Sequence, residues 1–333
     1  MTKKEPTSID VARLADVSQS TVSRSFDPDS PISAETRARV MAAAAQLGYR
    51  PNVIARSLIT QRTNIVGIVM ASITASHFYP NVLEQFTHRL QEMGKQVLLL
   101  DTPPDRSVDE LLPQVLGYQV DALIIASLTP GSESIDVSSR GGRPVILFNR
   151  YVADTSASAV CCDNVAGGRM VADLLMDAGH RRIGYVAGLE NSATNQMREK
   201  GFSEQLLKRG HRDLRRQQAA YTYQAGREAA RSLLAGDDRP EAVFCAADVI
   251  ALGVMDTARY ELGLRIPEDL AVVGFDDIPC AAWPAYDLTT IRQPIDDMIS
   301  ATLDLLSRED QETQTGEIRL LPIELVVRGS TRP

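Results

Sequence analysis

Short apolar runs alternate with stretches of helical spacing along most of this chain. Strand-like runs fall at Ile65–Met70, Gln96–Asp101, Ala122–Ser127, Val145–Asn149, Val160–Asp163, Ile183–Ala187, Ala242–Ala246, Ala271–Phe275 and Leu320–Val327. Between most of them the apolar positions recur at helical intervals, as in Val82–Met93, Ala166–Ala178, Gln196–Lys208, Gly226–Leu234 and Val249–Leu262. Continuous rather than alternating apolar strands, separated by helices, predict parallel sheets covered on both faces. The body from residue 63 to 333 therefore reads as an α/β unit of two doubly wound subdomains. One takes roughly residues 63–162 with 293–319, the other 163–292 with 320–333.

The first fifty residues follow a different pattern. Thr7-Ser8-Ile9-Asp10 fits a capping box, and Val11, Leu14 and Ala15 follow at helical spacing. Asp16-Val17 makes a turn, Ser18 caps a second short helix through Arg24, and Asp27-Pro28-Asp29-Ser30-Pro31 stops it. A third helix starts from Ser33 and ends at Gly48. Two short helices joined by a tight turn and braced by a third form a helix-turn-helix. The second helix carries Gln, Arg and small hydroxyls on its exposed side. Arg forks onto guanine, Gln onto adenine, and hydroxyls reach phosphates, so that side suits a DNA major groove.

Charge sharpens the division. Residues 1–62 hold nine Lys/Arg against six Asp/Glu, and the remainder 26 against 37, within a total of -8. A basic head on an acidic body fits a head that meets a polyanion. Composition, 44% apolar and 23% charged, excludes fibrous and disordered classes. There is no apolar run of membrane-spanning length and no secretory pattern behind the N-terminal lysines. Cys161, Cys162, Cys245 and Cys280 have neither disulfide-framework nor metal-ligand spacing, so four reduced thiols in a cytoplasmic protein are expected. No metal or cofactor is expected.

The run "VARLADVSQSTVSRSF…ISAETRARVMAAAAQLGYRPNVIARSL" resembles the LacI/GalR family of bacterial transcriptional regulators. The matches come in order: Val11-Ala12, Val17-Ser18, Thr21-Val22-Ser23-Arg24, Thr36-Arg37 and Leu47-Gly48-Tyr49-Arg50-Pro51-Asn52. The resemblance implies that Gln19, Ser20 and Arg24 face base edges. It puts Thr21, Ser23 and Asn52 on the sugar-phosphate backbone, and Thr7 and Ser18 complete the DNA-contacting set. Residues 51–62 correspond to the family's hinge helix, which folds on DNA and wedges a leucine into the minor groove. Leu58 stands at that place, with Ala55 beside it. Asp16 departs from the glycine usual in the turn, and an aspartate tolerates the left-handed conformation needed there.

The resemblance extends through the body, which it makes a hinged pair of subdomains of periplasmic-binding-protein type. Ligands of doubly wound sheets sit at the carboxyl ends of strands. Position by position, the family's effector contacts fall on His77, Phe78, Asn149, Arg198, Tyr221, Asp276 and Gln293, with Arg150 adjoining. An aromatic wall, a guanidinium fork and a carboxylate suit a carbohydrate. Ala247 stands where many sugar-binding members have a small polar residue. With Arg150 and Arg198 near the cleft, this favours a sugar acid over a neutral sugar, a purine being the lesser alternative. Nucleophile elbow, Walker loop, zincin and dinucleotide signatures are all lacking, so an enzyme is not expected. The expected protein is an operator-binding regulator, most plainly a repressor. It would act as a homodimer through the body, with no room after Val327 for a tetramer-forming coiled coil. The competing reading is a transport-type solute-binding protein with an unrelated N-terminal extension.

Overall fold

The computed structural model describes residues 6–27, 30–51, 62–71, 73, 78–102, 107–126, 132–139, 143–152, 155, 157–309 and 316–331. The chain divides into two compact units, Met1–Thr63 and Asn64–Pro333.

The head is built of α1 (Ser8–Leu14), α2 (Gln19–Ser25) and α3 (Ala34–Leu47). Its starts and stops are those the sequence prescribes. The Thr7 backbone N–H and hydroxyl both donate to Asp10 Oδ2, at 3.0 and 2.7 Å. Ser18 Oγ accepts the Thr21 N–H at 3.1 Å, and Ser33 Oγ accepts that of Thr36 at 3.2 Å. Gly48 ends α3 at φ 68°, and Asp16 takes φ 50° in the turn, as expected of a short side chain standing in for glycine. The core is small: Val11, Ala15, Val22, Val40 and Ala44 are buried, flanked by Phe26 and Tyr49. Arg37 compensates for that size. Its guanidinium donates to the carbonyls of Ser25, Asp27 and Ser30 at 2.7–3.0 Å, capping the open end of α2 and fixing the turn beyond it. The expected hinge, apart from Pro51 and Arg62, lies outside the described residues.

The body holds two parallel sheets. The first contains β1 (Ile65–Ala71), β2 (Gln96–Thr102), β3 (Ala122–Ala126), β4 (Val145–Phe148), β5 (Ser158–Cys162) and β11 (Ile318–Leu321), in the order β11-β5-β4-β3-β1-β2. The second contains β6 (Ile183–Ala187), β7 (Leu214–Gln218), β8 (Ala242–Cys245) and β9 (Ala271–Val273), in the order β7-β6-β8-β9. A short antiparallel pair, β10 (Thr290–Arg292) with β12 (Glu324–Val326), adjoins the second. Helices α4 (Phe78–Glu92), α5 (Val108–Gly117), α6 (Ser132–Ser139) and α11 (Ile295–Glu309) belong to the first lobe. The second lobe takes α7 (Asn164–Asp177), α8 (Ala193–Lys208), α9 (Tyr223–Leu233) and α10 (Asp248–Asp256).

Several details differ from the pattern-based expectation. The last predicted strand, Leu320–Val327, is two strands in different sheets, because Pro322 and Ile323 carry the chain from one lobe to the other. The lobe boundary consequently falls after Leu321 rather than Arg319. Strand β7 is absent from the expectation: Leu-Arg-Arg-Gln-Gln is an edge strand with little to bury, so it lacks an apolar signature. The helix expected over Val249–Leu262 stops at Asp256, and its last turn, Thr257–Glu261, widens into a π-turn.

The chain crosses between lobes after Cys162, after Arg292 and after Leu321, so residues at these crossings touch both lobes. Close packing of α7 on α8 sets the geometry beside the first crossing. A β-carbon on Gly168 would stand 2.2 Å from the Arg198 carbonyl oxygen, and one on Gly201 would stand 2.0 Å from that of Val165. Neither backbone can give way, so glycine is required at both positions. Gly201→Ala should therefore lower stability by about 1–3 kcal/mol in a denaturant titration. Gly117→Ala, which meets nothing within 4 Å, should stay within about 0.5 kcal/mol of the parent.

Candidate functional site

On α2 the inward positions are Val22 and Ser25, while Gln19, Ser20, Ser23 and Arg24 are exposed and Thr21 is half-buried. The exposed side is therefore a row of donors and acceptors held on a short rigid element. Ser18 Oγ lies 2.8 Å from both Ser20 Oγ and Thr21 Oγ1, and Gln19 Nε2 donates to Ser8 Oγ at 3.0 Å, tying α2 to α1. Arg24 leans along the helix, its Nε 3.4 Å from the Ser20 carbonyl. Thr7 and Ser18, both exposed, hold the two helix N-termini beside this face. Asn52, Ala55 and Leu58 lie outside the described residues.

In the body, the strand order reverses around β1/β3 in the first sheet and β6/β8 in the second, which places ligand-binding crevices at those carboxyl ends. Arg198, on α8, reaches into this region and is only 3% exposed. Its Nε donates to Asn164 Oδ1 at 2.8 Å and its Nη1 to the Ala246 carbonyl at 2.5 Å. Nη1 also lies 3.4 Å from Asp276 Oδ1. The guanidinium carbon stacks 3.6 Å from the centre of the Phe275 ring. Gln293 Nε2 donates to the same Asp276 oxygen at 2.7 Å. Burial pushes the Asp276 carboxyl up to about 6, held back by Arg198 and Gln293, so it remains ionised at neutral pH.

Other groups gather around this pair. Tyr79, at the start of α4, lies against Arg150 and within the electrostatic reach of Asp276 and Tyr221, which brings first-lobe and second-lobe residues together. The Tyr221 ring lies on Gly188, where a β-carbon would meet its Cζ at 2.3 Å, and its hydroxyl is 3.3 Å from Ser192 Oγ. Asn149 is buried at φ 55° with Oδ1 unsatisfied among the described residues. Asn195, fully buried, accepts the Tyr185 hydroxyl and the Gly188 N–H at 2.9 and 2.8 Å and leaves Nδ2 unsatisfied among the described residues. Buried amide atoms without partners are costly and are the kind of group a polar ligand completes. A depression of about 390 Å³ opens beside the pair, lined in part by Asn81, Gln85, Asp276, Gln293 and Ile295.

Five of the residues chosen from sequence, Arg150, Arg198, Tyr221, Asp276 and Gln293, thus share one region, with Asn149 at the end of β4. Phe78 is a core residue, edge-on to Tyr79 at 5.2 Å, and His77 lies outside the described residues. Sequence reasoning missed Cys162 and Phe275. Tyr79, Asn164, Ser192 and Asn195 fall within strand-end segments that it places at the pocket, but it singles none of them out as an effector contact. That placement is the signal that marks them. All four cysteines are free and buried. Among the described residues no acidic, Cys and His group is placed to hold a metal ion. No described helix is long and apolar enough to cross a membrane.

Asp248, at the start of α10, is the second buried carboxyl. It accepts the Ile278 N–H at 2.9 Å and the Thr290 hydroxyl at 2.5 Å. Burial and the nearby Asp276 charge push it up to about 8. Because the folded value exceeds the ordinary 3.8, its neutral form favours the fold, and that contribution is lost as pH rises from about 4 to about 8. Asp248→Asn removes the penalty. Its melting temperature should gain on the parent's across that interval and then run parallel above it; a constant gap would refute the assignment.

Comparison with known proteins fits both halves. The model of bacterial regulatory proteins of the lacI family matches residues 9–52, and a periplasmic binding protein-like domain matches residues 172–331. Catabolite control protein A of Priestia megaterium is 32% identical over 329 residues, covering 97% of this chain and 98% of that protein. The ribose operon repressor of Escherichia coli (strain K12) is 31% identical over 327 residues, covering 96% and 98%. The Lac repressor dimer bound to operator and the anti-inducer ONPF is 27% identical, with a TM-score of 0.88 and 98% and 99% of the two chains covered. The complex of the transcriptional regulator CelR with cellobiose is 31% identical, with a TM-score of 0.72 and the same coverage. These relatives are regulators and not enzymes. Matched in sequence and in fold over nearly its whole length, the chain belongs to the lacI family of bacterial transcriptional regulators.

Proposed function

We propose that this regulator is a repressor that binds a pseudo-palindromic operator as a homodimer and releases or grips it according to a sugar-type effector in the body. The observation that carries the reading is the outward face of α2, where Gln19, Ser20, Ser23 and Arg24 stand exposed on a helix-turn-helix. One such face spans a half-site, and a twofold dimer matches a palindrome. The similarity to an operator-bound Lac repressor dimer supports it. So does a pair of exposed aromatic residues on the body. Tyr260 and Trp283 are 80% and 54% exposed, and their segments are tied together by Tyr286 donating to Asp256 at 3.1 Å. Two copies meeting there would cover them. The protein acts in the cytoplasm, where DNA and reduced thiols coexist.

The effector reading rests on the Arg198–Asp276 region, with its unsatisfied amides and the rings of Tyr79 and Tyr221. A repressor of a ribose operon and a cellobiose-bound regulator are among the relatives. The guanidinium of Arg198 is matched by Asp276, so a preference for a sugar acid falls to Arg150 alone. Neutral sugars are therefore as well suited as acids. A ligand moves the protein only by its differential affinity for two states, about 1–3 kcal/mol of coupling.

Selection of duplexes from a random library with the full chain, with and without a panel of sugars, sugar acids and purines, tests the reading. A single twofold-related sequence is expected, and recovery of no preferred sequence would return the transport-type alternative. Arg24→Ala should cost about 1–3 kcal/mol at one base pair of that sequence, whereas an equal loss on every variant would assign Arg24 to phosphate. Tyr221→Ala should weaken the effector response at least tenfold in a mobility-shift titration and leave effector-free operator affinity within twofold.

A further inference from the structure

We infer that Cys162 is a positioning residue of the effector region, its S–H orienting the Gln293 amide that holds Asp276. The inference rests on the effector reading above and adds a residue to it.

Cys162 is the last residue of β5, at the first crossing between lobes, and Gln293 lies at the second. The Cys162 thiol donates to Gln293 Oε1 at 3.3 Å. Its alternative acceptor is Asn164 Oδ1, at 3.6 Å. These two oxygens belong to the two amides that grip the ion pair. Asn164 Oδ1 receives Arg198 Nε at 2.8 Å, and Gln293 Nε2 donates to Asp276 Oδ1 at 2.7 Å. A thiol has one proton, so it serves one amide oxygen at a time.

That proton stays on sulfur, because burial pushes the Cys162 thiol up to about 12. A primary amide can turn about its last bond and exchange oxygen for nitrogen. Asp276 demands the nitrogen of Gln293, and Cys162 supplies a donor on the other side that demands the oxygen. The two requirements agree, and together they leave one orientation. A residue of the same size without a donor would leave Gln293 Oε1 buried and unsatisfied, and the amide would sample other rotamers. Asn164 anchors itself separately, its Nδ2 donating to the Cys162 carbonyl at 3.1 Å. The neighbouring thiol points elsewhere, Cys161 donating to the Arg150 carbonyl at 2.9 Å. Replacing Cys162 alone therefore leaves that contact in place.

A packing role and an orienting role make different predictions for two substitutions. Cys162→Val keeps the bulk and removes the donor. Cys162→Ser keeps a donor and loses bulk. The full-length protein, labelled with ¹⁵N-glutamine and free of any sugar, gives the readout directly, with the Gln293 side-chain amide assigned by its loss in Gln293→Glu. Solvent exchange of that amide should be at least fivefold faster in Cys162→Val than in the parent, and within twofold of the parent in Cys162→Ser. Cys162→Ala, as a second donor-free variant, should follow Val even if its melting temperature matches that of Ser. If Val preserves slow exchange, or if Ser and Ala exchange alike, the orienting role is overturned. Because no effector enters the measurement, failure here leaves the effector reading standing, and failure of that reading leaves this result intact.

Discussion

A guanidinium and a carboxylate, both nearly out of water, face each other at 3.4 Å where the lobes of the body meet. Removing two charges from water costs several kcal/mol per ion, and a buried pair seldom repays this in stability. Arg198 and Asp276 are tolerated because several of their flanks are occupied. Asn164 and the Ala246 carbonyl take N–H groups of the guanidinium, the Phe275 ring takes its face, and Gln293 takes the carboxylate. The pair therefore depends on the elements that deliver these neighbours. α7 and α8 must touch at Gly168 and Gly201, and the crossings must bring Cys162 and Gln293 together. The fold is arranged around a polar cluster that contributes specificity more than stability.

That arrangement explains how a cleft can sense a ligand. Polar groups of both lobes converge there, and three side-chain amides, Gln85, Asn149 and Asn195, have a buried atom without a partner among the described residues. A polyhydroxylated molecule that satisfies groups from both lobes favours whichever lobe arrangement brings them nearest. The energy available for signalling is the difference in satisfaction between arrangements. The second buried carboxyl, Asp248, stays out of this exchange because its oxygens already serve the Ile278 N–H and the Thr290 hydroxyl.

Much of this is legible in the amino-acid sequence. The head is written in local chemistry, namely caps at Thr7, Ser18 and Ser33 and stops at Asp16 and Gly48, which act over a few residues and need no tertiary context. Buried parallel strands such as Ala122–Ala126 announce themselves by uninterrupted apolar runs. What escapes is non-local. β7 pairs at an edge and needs no apolar face, and the split of the last strand depends on which sheet each half reaches. Asn164, Phe275 and Cys162 matter only because distant segments bring them to Arg198. Phe78 shows the converse: its position at a strand end suggests a wall, and its ring lies in the core while Tyr79 takes the place beside Arg150.

The most direct test is a double-mutant cycle on the pair, measured as unfolding free energy of Arg198→Met, Asp276→Asn and the double variant. Each single change leaves a buried polar group without its partner, so each should be costly. The double variant should recover part of the loss, giving a coupling energy of about 1–3 kcal/mol. Strictly additive losses would mean that the two groups do not hold one another, contradicting the account at its centre.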